Sequence, residues 1–311
     1  MSGHSVLVIG AGGLVGSSLV RTFAARGWHV TATLRTPDSR AGREDALDGA
    51  SVVLVPDALD TGVVSAAIEV AQPDVVINCV ATMPRGGEGT GRAYVDGNVA
   101  AQAVTLDACV RAGVPRALVF GSGFEYRPDP RPLSEHDALG PTTLYGATKL
   151  AGSVIAQYFA ADGDIEVSVA RPFSLYGPRE RPSRFVPYVV TSALAGHPIR
   201  MSSGTQRRDY LFVDDLADGM VRLAEAPSPI PAVVNFSGPS EHSLLDVVTE
   251  ALEIVGSNVG VINDLPPNPG DRSVFVGDSS LARASLGWQP TYDLHAGLVK
   301  TVEWYRTNSG V

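Results

Sequence analysis

The sequence predicts an α/β protein built on a doubly wound parallel sheet, with a smaller α/β unit supplied by the later part of the chain. Three observations predict it. Short β-branched runs alternate with segments of helical spacing over residues 5–170. The strand runs are apolar almost without a break, as strands buried on both faces must be. A glycine-rich turn joins the first strand to the first helix.

In chain order, strands are expected at 5–9, 29–33, 51–55, 75–79, 117–120 and 166–170, with helices at 15–26, 63–71, 98–112 and 144–160. Such alternation requires right-handed crossovers, with helices covering both faces of the sheet. After Arg171 the rhythm changes. Residues 177–208 are rich in Pro, Arg, Ser and Gly around one helix at 186–195. A strand–helix unit at 210–225, a strand at 233–236 and a helix at 244–255 follow; 266–278 reads as loop, and two short helical patterns end the chain. The expected division is a dinucleotide-binding domain at 1–173 with 209–238, and a substrate-binding domain at 174–208 with 239–311.

Composition limits the classes of function. A formal charge of −9 with no basic stripe argues against a nucleic-acid polymer as partner, while leaving room for a small phosphorylated ligand. Cys79 and Cys109 lie far apart in apolar runs, so two reduced, buried thiols are expected and not a disulfide framework. The chain has no run of 18 apolar residues, and its short polar start leads directly into a strand. A soluble cytoplasmic protein is the expectation.

The turn reads Ile9-Gly10-Ala11-Gly12-Gly13-Leu14-Val15-Gly16. Gly10 permits the sharp turn, Gly13 lets backbone approach a pyrophosphate, and Gly16 lets helix and strand pack closely. Glycine turns without ligands are common, but this one ends a first strand and opens a helix whose free N–H groups face any phosphate bound there. Gly10, Gly12, Gly13, Leu14, Val15 and Gly16 are therefore the expected cradle of a Rossmann-type dinucleotide site. At the end of the second strand stands Leu34-Arg35-Thr36, with no carboxylate for the adenosine ribose. Arg35 suits a 2′-phosphate, which places NADP(H) ahead of NAD(H); Arg40 and Arg43 read as solvated loop residues.

Tyr145 and Lys149 lie four apart on one helix face, and a cation beside a phenol lowers its pKa towards neutrality. That spacing alone occurs by chance in many helices. Ser122 strengthens the case, because it ends the preceding strand, where ligands of parallel sheets gather.

Together these motifs resemble the extended short-chain dehydrogenase/reductases, the NAD(P)-dependent sugar-nucleotide epimerase/dehydratase family. The similarity continues through Ala170-Arg171-Pro172-Phe173-Ser174-Leu175-Tyr176-Gly177-Pro178 and Arg208-Asp209-Tyr210-Leu211-Phe212-Val213-Asp214-Asp215. It ends with Pro269-Gly270-Asp271 and Leu286-Gly287-Trp288-Gln289-Pro290. The resemblance implies that Ser122, Tyr145 and Lys149 are catalytic. Asp57 and Ala58 would meet the adenine, Cys79, Val80 and Ala81 would run along the cofactor, and Pro172 and Phe173 would lie near the nicotinamide. Ser174, Arg184, Phe185, Met201 and Arg208 would hold a nucleotide sugar, Arg208 facing its diphosphate. Arg171 and Asp214 read as fold-maintaining.

Departures from the family narrow the activity. Phe124 occupies the place of the acid in sugar 4,6-dehydratases, and Glu125, one step along, is expected to point elsewhere. Phe124 and Arg179 stand where fucose-forming epimerase–reductases carry cysteine and histidine. Ser174 and Asn268 replace the usual asparagine and arginine, and Arg272 is either a substitute cation or a surface residue. The leading expectation is an NADPH-dependent ketoreductase of a nucleotide-linked keto-sugar, of the 4-keto-6-deoxyhexose kind. The alternative is an NAD-dependent nucleotide-sugar 4-epimerase, and behind it a non-catalytic NADP-binding regulator. The resemblance also implies a homodimer formed through the helices at 98–112 and 144–160.

Overall fold

The structure, a computed structural model, describes residues 3–37, 47–83, 91–266 and 270–308. The chain begins with β1 (Ser5–Ile9), α1 (Leu14–Ala25), β2 (His29–Leu34) and β3 (Ser51–Leu54). It continues through α2 (Thr61–Ala71), β4 (Val75–Asn78), α3 (Gly91–Val95), a π-helical segment at Asp96–Ala100 and α4 (Ala101–Ala112). β5 (Arg116–Phe120), α5 (Leu144–Asp162) and β6 (Glu166–Pro172) follow. These strands, joined by β11 (defined below), form a seven-stranded parallel sheet. Its order is β3-β2-β1-β4-β5-β6-β11, so the winding reverses between β1 and β4 and leaves a crevice at their carboxyl ends.

The unbroken apolarity of the strands has a direct cause. Val6 and Val8 of β1 enter a core shared with α1, while Leu7 and Ile9 enter another beneath α2, α4 and α5. Alternate residues of one strand thus face two different dry layers.

Beyond β6 the chain forms β7 (Ser174–Tyr176), α6 (Phe185–Leu194), β8 (Ile199–Arg200), β9 (Arg207–Arg208) and β10 (Tyr210–Phe212). Next come α7 (Val213–Glu225), β11 (Val233–Phe236), β12 (His242–Ser243) and α8 (Leu244–Val255). β13 (Val261–Ile262), β14 (Val274–Phe275), α9 (Ser280–Leu286) and α10 (Leu294–Asn308) complete the described elements. A third core gathers α6, α8 and α10, with Val189, Val248 and Leu298 fully buried.

Two elements differ from the sequence reading. β10 does not join the main sheet: it pairs with β7, because the place beside β6 is taken by β11. Its Leu211 packs into the sheet core while Tyr210 and Phe212 face the third core, so three residues tie the two together. The helix expected from 98 begins at Gly91 and widens into the π segment. This widening seats the buried Asn98, whose Oδ1 accepts from Thr82 N (2.9 Å) and whose Nδ2 donates to Thr82 O (3.0 Å) and Thr148 Oγ1 (3.0 Å). The fold-maintaining roles read for Arg171 and Asp214 have visible partners. Asp214 accepts from Ser18 Oγ (2.5 Å) and Arg21 (2.8 Å), binding α7 to α1, and Arg171 pairs with Glu125. No helix among the described residues is long and apolar enough to cross a membrane.

Candidate active site

The glycine turn is shaped by contacts that only glycine allows. Gly10 has φ of +83°, and its N–H donates to Thr33 Oγ1 (3.1 Å) on β2. A Cβ on Gly16 would lie 2.5 Å from the Gly10 carbonyl oxygen, so α1 starts directly against the turn. α1 has Gly13 as its N-cap and no side-chain cap, which leaves its first N–H groups available to an anion. Gly10, Gly13, Leu14, Val15 and Gly16 line one end of a cavity of about 1030 Å³, and Cys79 and Ala81 continue it from the end of β4. This cradle fits a dinucleotide pyrophosphate. Burial pushes both thiols, Cys79 and Cys109, up to about 12, and both are free.

Five residues expected at the cofactor do not line the cavity. Gly12 is half-buried in the turn, and Val80 packs against the core beneath α2. Asp57 is exposed and uses its carboxylate to accept from Leu59 N (2.9 Å), while Ala58 packs against the same core as Val80. Arg35 is exposed just beyond β2. Arg40, Arg43, Asn268 and Pro269 lie outside the described residues.

At the end of β5 the chain makes a short 3₁₀ turn over Gly123–Glu125, with Ser122 as its N-cap. Ser122 Oγ accepts from Phe124 N (3.2 Å) and lies near enough to the Tyr145 phenol to lower its pKa. Because one lone pair holds the Phe124 N–H, the serine proton is free to point at the tyrosine oxygen. Thr143 caps α5 by accepting from Gly146 N (3.1 Å). Gly146 rests on the Phe124 carbonyl, where a Cβ would overlap the oxygen, and this brings Tyr145 onto the Ser122 turn. Lys149 follows one helical turn later, 3% exposed.

The electrostatics differ from expectation in one respect. Tyr145 is not depressed: burial raises its pKa, against smaller lowering effects of the Ser122 hydroxyl and the Arg184 charge. Arg184 is thus a cation that bears on the phenol from another element. Lys149 is itself brought down to about 8 by desolvation, with Glu125 and Cys79 opposing that fall.

Pro172, Phe173 and Ser174, at the β6–β7 junction, line the next part of the cavity, and Arg184, Phe185, Met201 and Arg208 line its far half. Arg208 is ion-paired with Asp271 and sits 5.9 Å over the Phe275 ring. Arg272 is neither a surface residue nor aimed at a ligand. Only 5% exposed, it donates to the carbonyls of Gly123 (3.4 Å), Phe124 (3.3 Å) and Tyr126 (2.8 Å), and lies over the Phe124 and Phe275 rings. Phe124, read from the sequence as filling the place of the dehydratase acid, stands edge-on to Tyr145 with ring centroids 5.9 Å apart. Sequence reasoning passed over Tyr210, Asp271 and Phe275 as site residues, and all three line the cavity. Glu180 also lines the cavity; burial pushes it up to about 7, opposed by its ion pair with Arg184 (3.4 Å). The RERPSR run around Glu180 carried no periodic signal; only the proximity of opposite charges four apart hinted at it.

A sequence model described as the NAD dependent epimerase/dehydratase family matches residues 6–236. The chain belongs to that family. Among relatives of this family member, a UDP-glucose 4-epimerase of Mycolicibacterium smegmatis is 30% identical over 320 residues, covering 97% of this chain and 99% of the relative. A dTDP-glucose 4,6-dehydratase of Xanthomonas campestris is 27% identical, covering 97% and 93%. In solved structures, MoeE5 in complex with UDP-glucuronic acid and NAD superposes with a TM-score of 0.88 at 30% identity, covering 97% and 99%. UDP-glucuronic acid 4-epimerase of Bacillus cereus, with UDP-glucuronic acid and NAD, has a TM-score of 0.87 at 26% identity, covering 97% and 99%. The family resemblance and the α/β fold read from the sequence are thus borne out, and the cofactor class is a pyridine nucleotide.

Proposed function

We propose that this protein is a nucleotide-sugar 4-epimerase that works with a retained NAD. The observation that carries the reading is the wall beside the acid–base pair. The Phe124 ring takes the place next to Tyr145, while the adjacent carboxylate, Glu125, is turned inward onto Arg171 (2.8 Å). Elimination of water needs a further acid and base at the sugar, and this wall offers an apolar ring. Inversion at one carbinol carbon needs only a group that moves its hydroxyl proton and a hydride carrier. The full-length similarity to the Mycolicibacterium smegmatis epimerase and to NAD-bound MoeE5 supports the same reading, and UDP-hexoses or UDP-hexuronates are the substrate class.

Tyr145 acts as the phenolate: with its own proton first released, it takes the proton of the sugar hydroxyl and later returns it, the Ser122 hydroxyl turning to donate to the same sugar oxygen. Lys149 lies one turn beyond, placed for the ribose next to the nicotinamide. A bound NAD would supply the hydride acceptor and donor that inversion at the carbinol carbon requires. Gly13 and the uncapped start of α1 hold the pyrophosphate. Phe173, packed between Tyr126 and Phe275, walls the nicotinamide, and Arg208, Ser174, Arg184, Phe185 and Met201 hold the nucleotide sugar.

A second reading, NADPH-dependent reduction of a nucleotide-linked 4-keto-6-deoxyhexose, is favoured by Arg35 at the end of β2. One experiment separates the two. Cofactor released by denaturing the purified protein is identified by mass, and the protein is incubated with UDP-glucose and UDP-glucuronate. Stoichiometric NAD and formation of the 4-epimer without net change in NAD(P)H are expected. Absence of bound NAD, with NADPH consumed on a keto-sugar, overturns the epimerase in favour of the reductase.

We also read the third core as the body of a substrate-binding unit, with the division at 1–173 with 209–238 and 174–208 with 239–311. Val154 (55% exposed) and Tyr158 (65% exposed) lie one turn apart on α5 and form the stripe through which a cytoplasmic homodimer would pair.

A further inference from the structure

Behind the Ser122 turn lies a buried ionic cluster whose own members do not line the cavity. Glu125 is fully buried. Its Oε1 accepts from Ser122 N (2.8 Å) and Ser153 Oγ (2.9 Å), and its Oε2 accepts from Arg171 Nε (2.8 Å). Arg171, 2% exposed, also donates to Tyr126 Oη (2.9 Å), which in turn donates to Asn235 Oδ1 (2.8 Å). An ion pair in this position costs desolvation, and an apolar pair of similar volume would hold the fold at least as well. What an apolar pair would not supply is a charge beside the acid–base residues.

We propose that Glu125 is a positioning residue of the acid–base set, fixing the Ser122 backbone from behind and setting, through its negative charge, the protonation of Tyr145 and Lys149. The inference rests on the reading of Tyr145 and Lys149 as that set. The groups that bear on Tyr145 are the Ser122 hydroxyl, Arg184 from the start of α6, Tyr94 from α3, and Glu125. Those that bear on Lys149 are Glu125 and the Cys79 thiol at the end of β4. Glu125 is the carboxylate common to both, and it raises both pKa values. Arg171 meets the carboxylate at Oε2, while Oε1 is the atom held against Ser122 N, so the negative end of the pair is the one turned towards the Ser122 turn.

The test is the pH profile of kcat in the holoenzyme. Glu125→Gln keeps the shape and removes the charge; the limb reporting Tyr145 should move to lower pH by about half a unit or more, with kcat reduced. Glu125→Asp keeps the charge and loses the reach to Ser122; kcat should fall while the limb stays near its original place. Should Glu125→Gln not fold because Arg171 is left unpaired, the double variant Glu125→Gln/Arg171→Met removes both charges and should show the same acid-ward shift. A folded variant lacking the charge, with an unmoved limb, overturns the proposal. Tyr145→Phe run in parallel keeps the two readings apart. If it remains active, the acid–base assignment itself fails; if it is inactive and the limb of the Glu125 variants is unmoved, only the role of Glu125 fails.

Discussion

Gly146 and Phe124 meet through backbone alone: the first turn of α5 rests on the Phe124 carbonyl, leaving no room for a side chain on Gly146. This contact sets the distance between Tyr145 and Ser122, which come from different elements. Gly146→Ala is therefore expected to lower stability by about 1–3 kcal/mol through overpacking, and to lower kcat at least tenfold while NAD retention persists. Thermal melts and turnover of UDP-glucose check it; wild-type kcat would show that the two turns are not coupled.

Tyr145→Phe removes the proton-transfer group and leaves the ring. Loss of about 10²–10⁴-fold in kcat is expected, with an unchanged melting temperature, since the phenol lies beside Ser122 at the cavity wall.

The two arginines from the far segments should separate in kinetics. Arg208 lines the cavity, so Arg208→Ala should raise KM for the nucleotide sugar more than it lowers kcat. Arg272 holds the Gly123–Tyr126 carbonyls, so Arg272→Met should lower kcat and stability with little change in KM. A KM effect confined to Arg272→Met would place that residue, and not Arg208, at the diphosphate.

Glu180 gives the protein a pH-dependent stability. Its carboxyl is raised by burial from the ordinary value of 4.5 to about 7. Ionising it in the fold is unfavourable, so its contribution is fully present below pH 4.5 and is lost as pH rises through 7, at no more than about 1.4 kcal/mol per unit. Relative to wild type, Glu180→Gln should thus gain stability between pH 5 and pH 8. A constant difference in melting temperature across that range would contradict the assignment.

Much of this architecture was legible in the chain. The β1 turn, the strands of the sheet through β6 and the Tyr145–Lys149 spacing all follow from local patterns of period 2 or 3.6 and from glycine placement, which are properties of neighbouring residues. Glu125 does point away from the acid's place, but not by strand alternation: Gly123–Glu125 is a 3₁₀ turn, and the Glu125 carboxylate closes a capping box on Ser122 N. Less legible was whatever depends on partners remote in sequence. Nothing local marks Asn98 as the clamp between Thr82 and Thr148, or β10 as the partner of β7.

The sequence by itself determined the Rossmann-type sheet and the glycine turn of β1, since each is written in residues close together along the chain, and its motifs pointed to Ser122, Tyr145 and Lys149 as a candidate set. Tertiary structure alone decided the charges around that set. Burial raises Tyr145 where spacing suggested depression, Arg184 reaches the phenol from another element, and Arg272 turns onto backbone carbonyls in place of a ligand. The physical reason is that desolvation and Coulomb energy depend on what surrounds a group in space, and those surroundings are assembled from segments far apart in the chain.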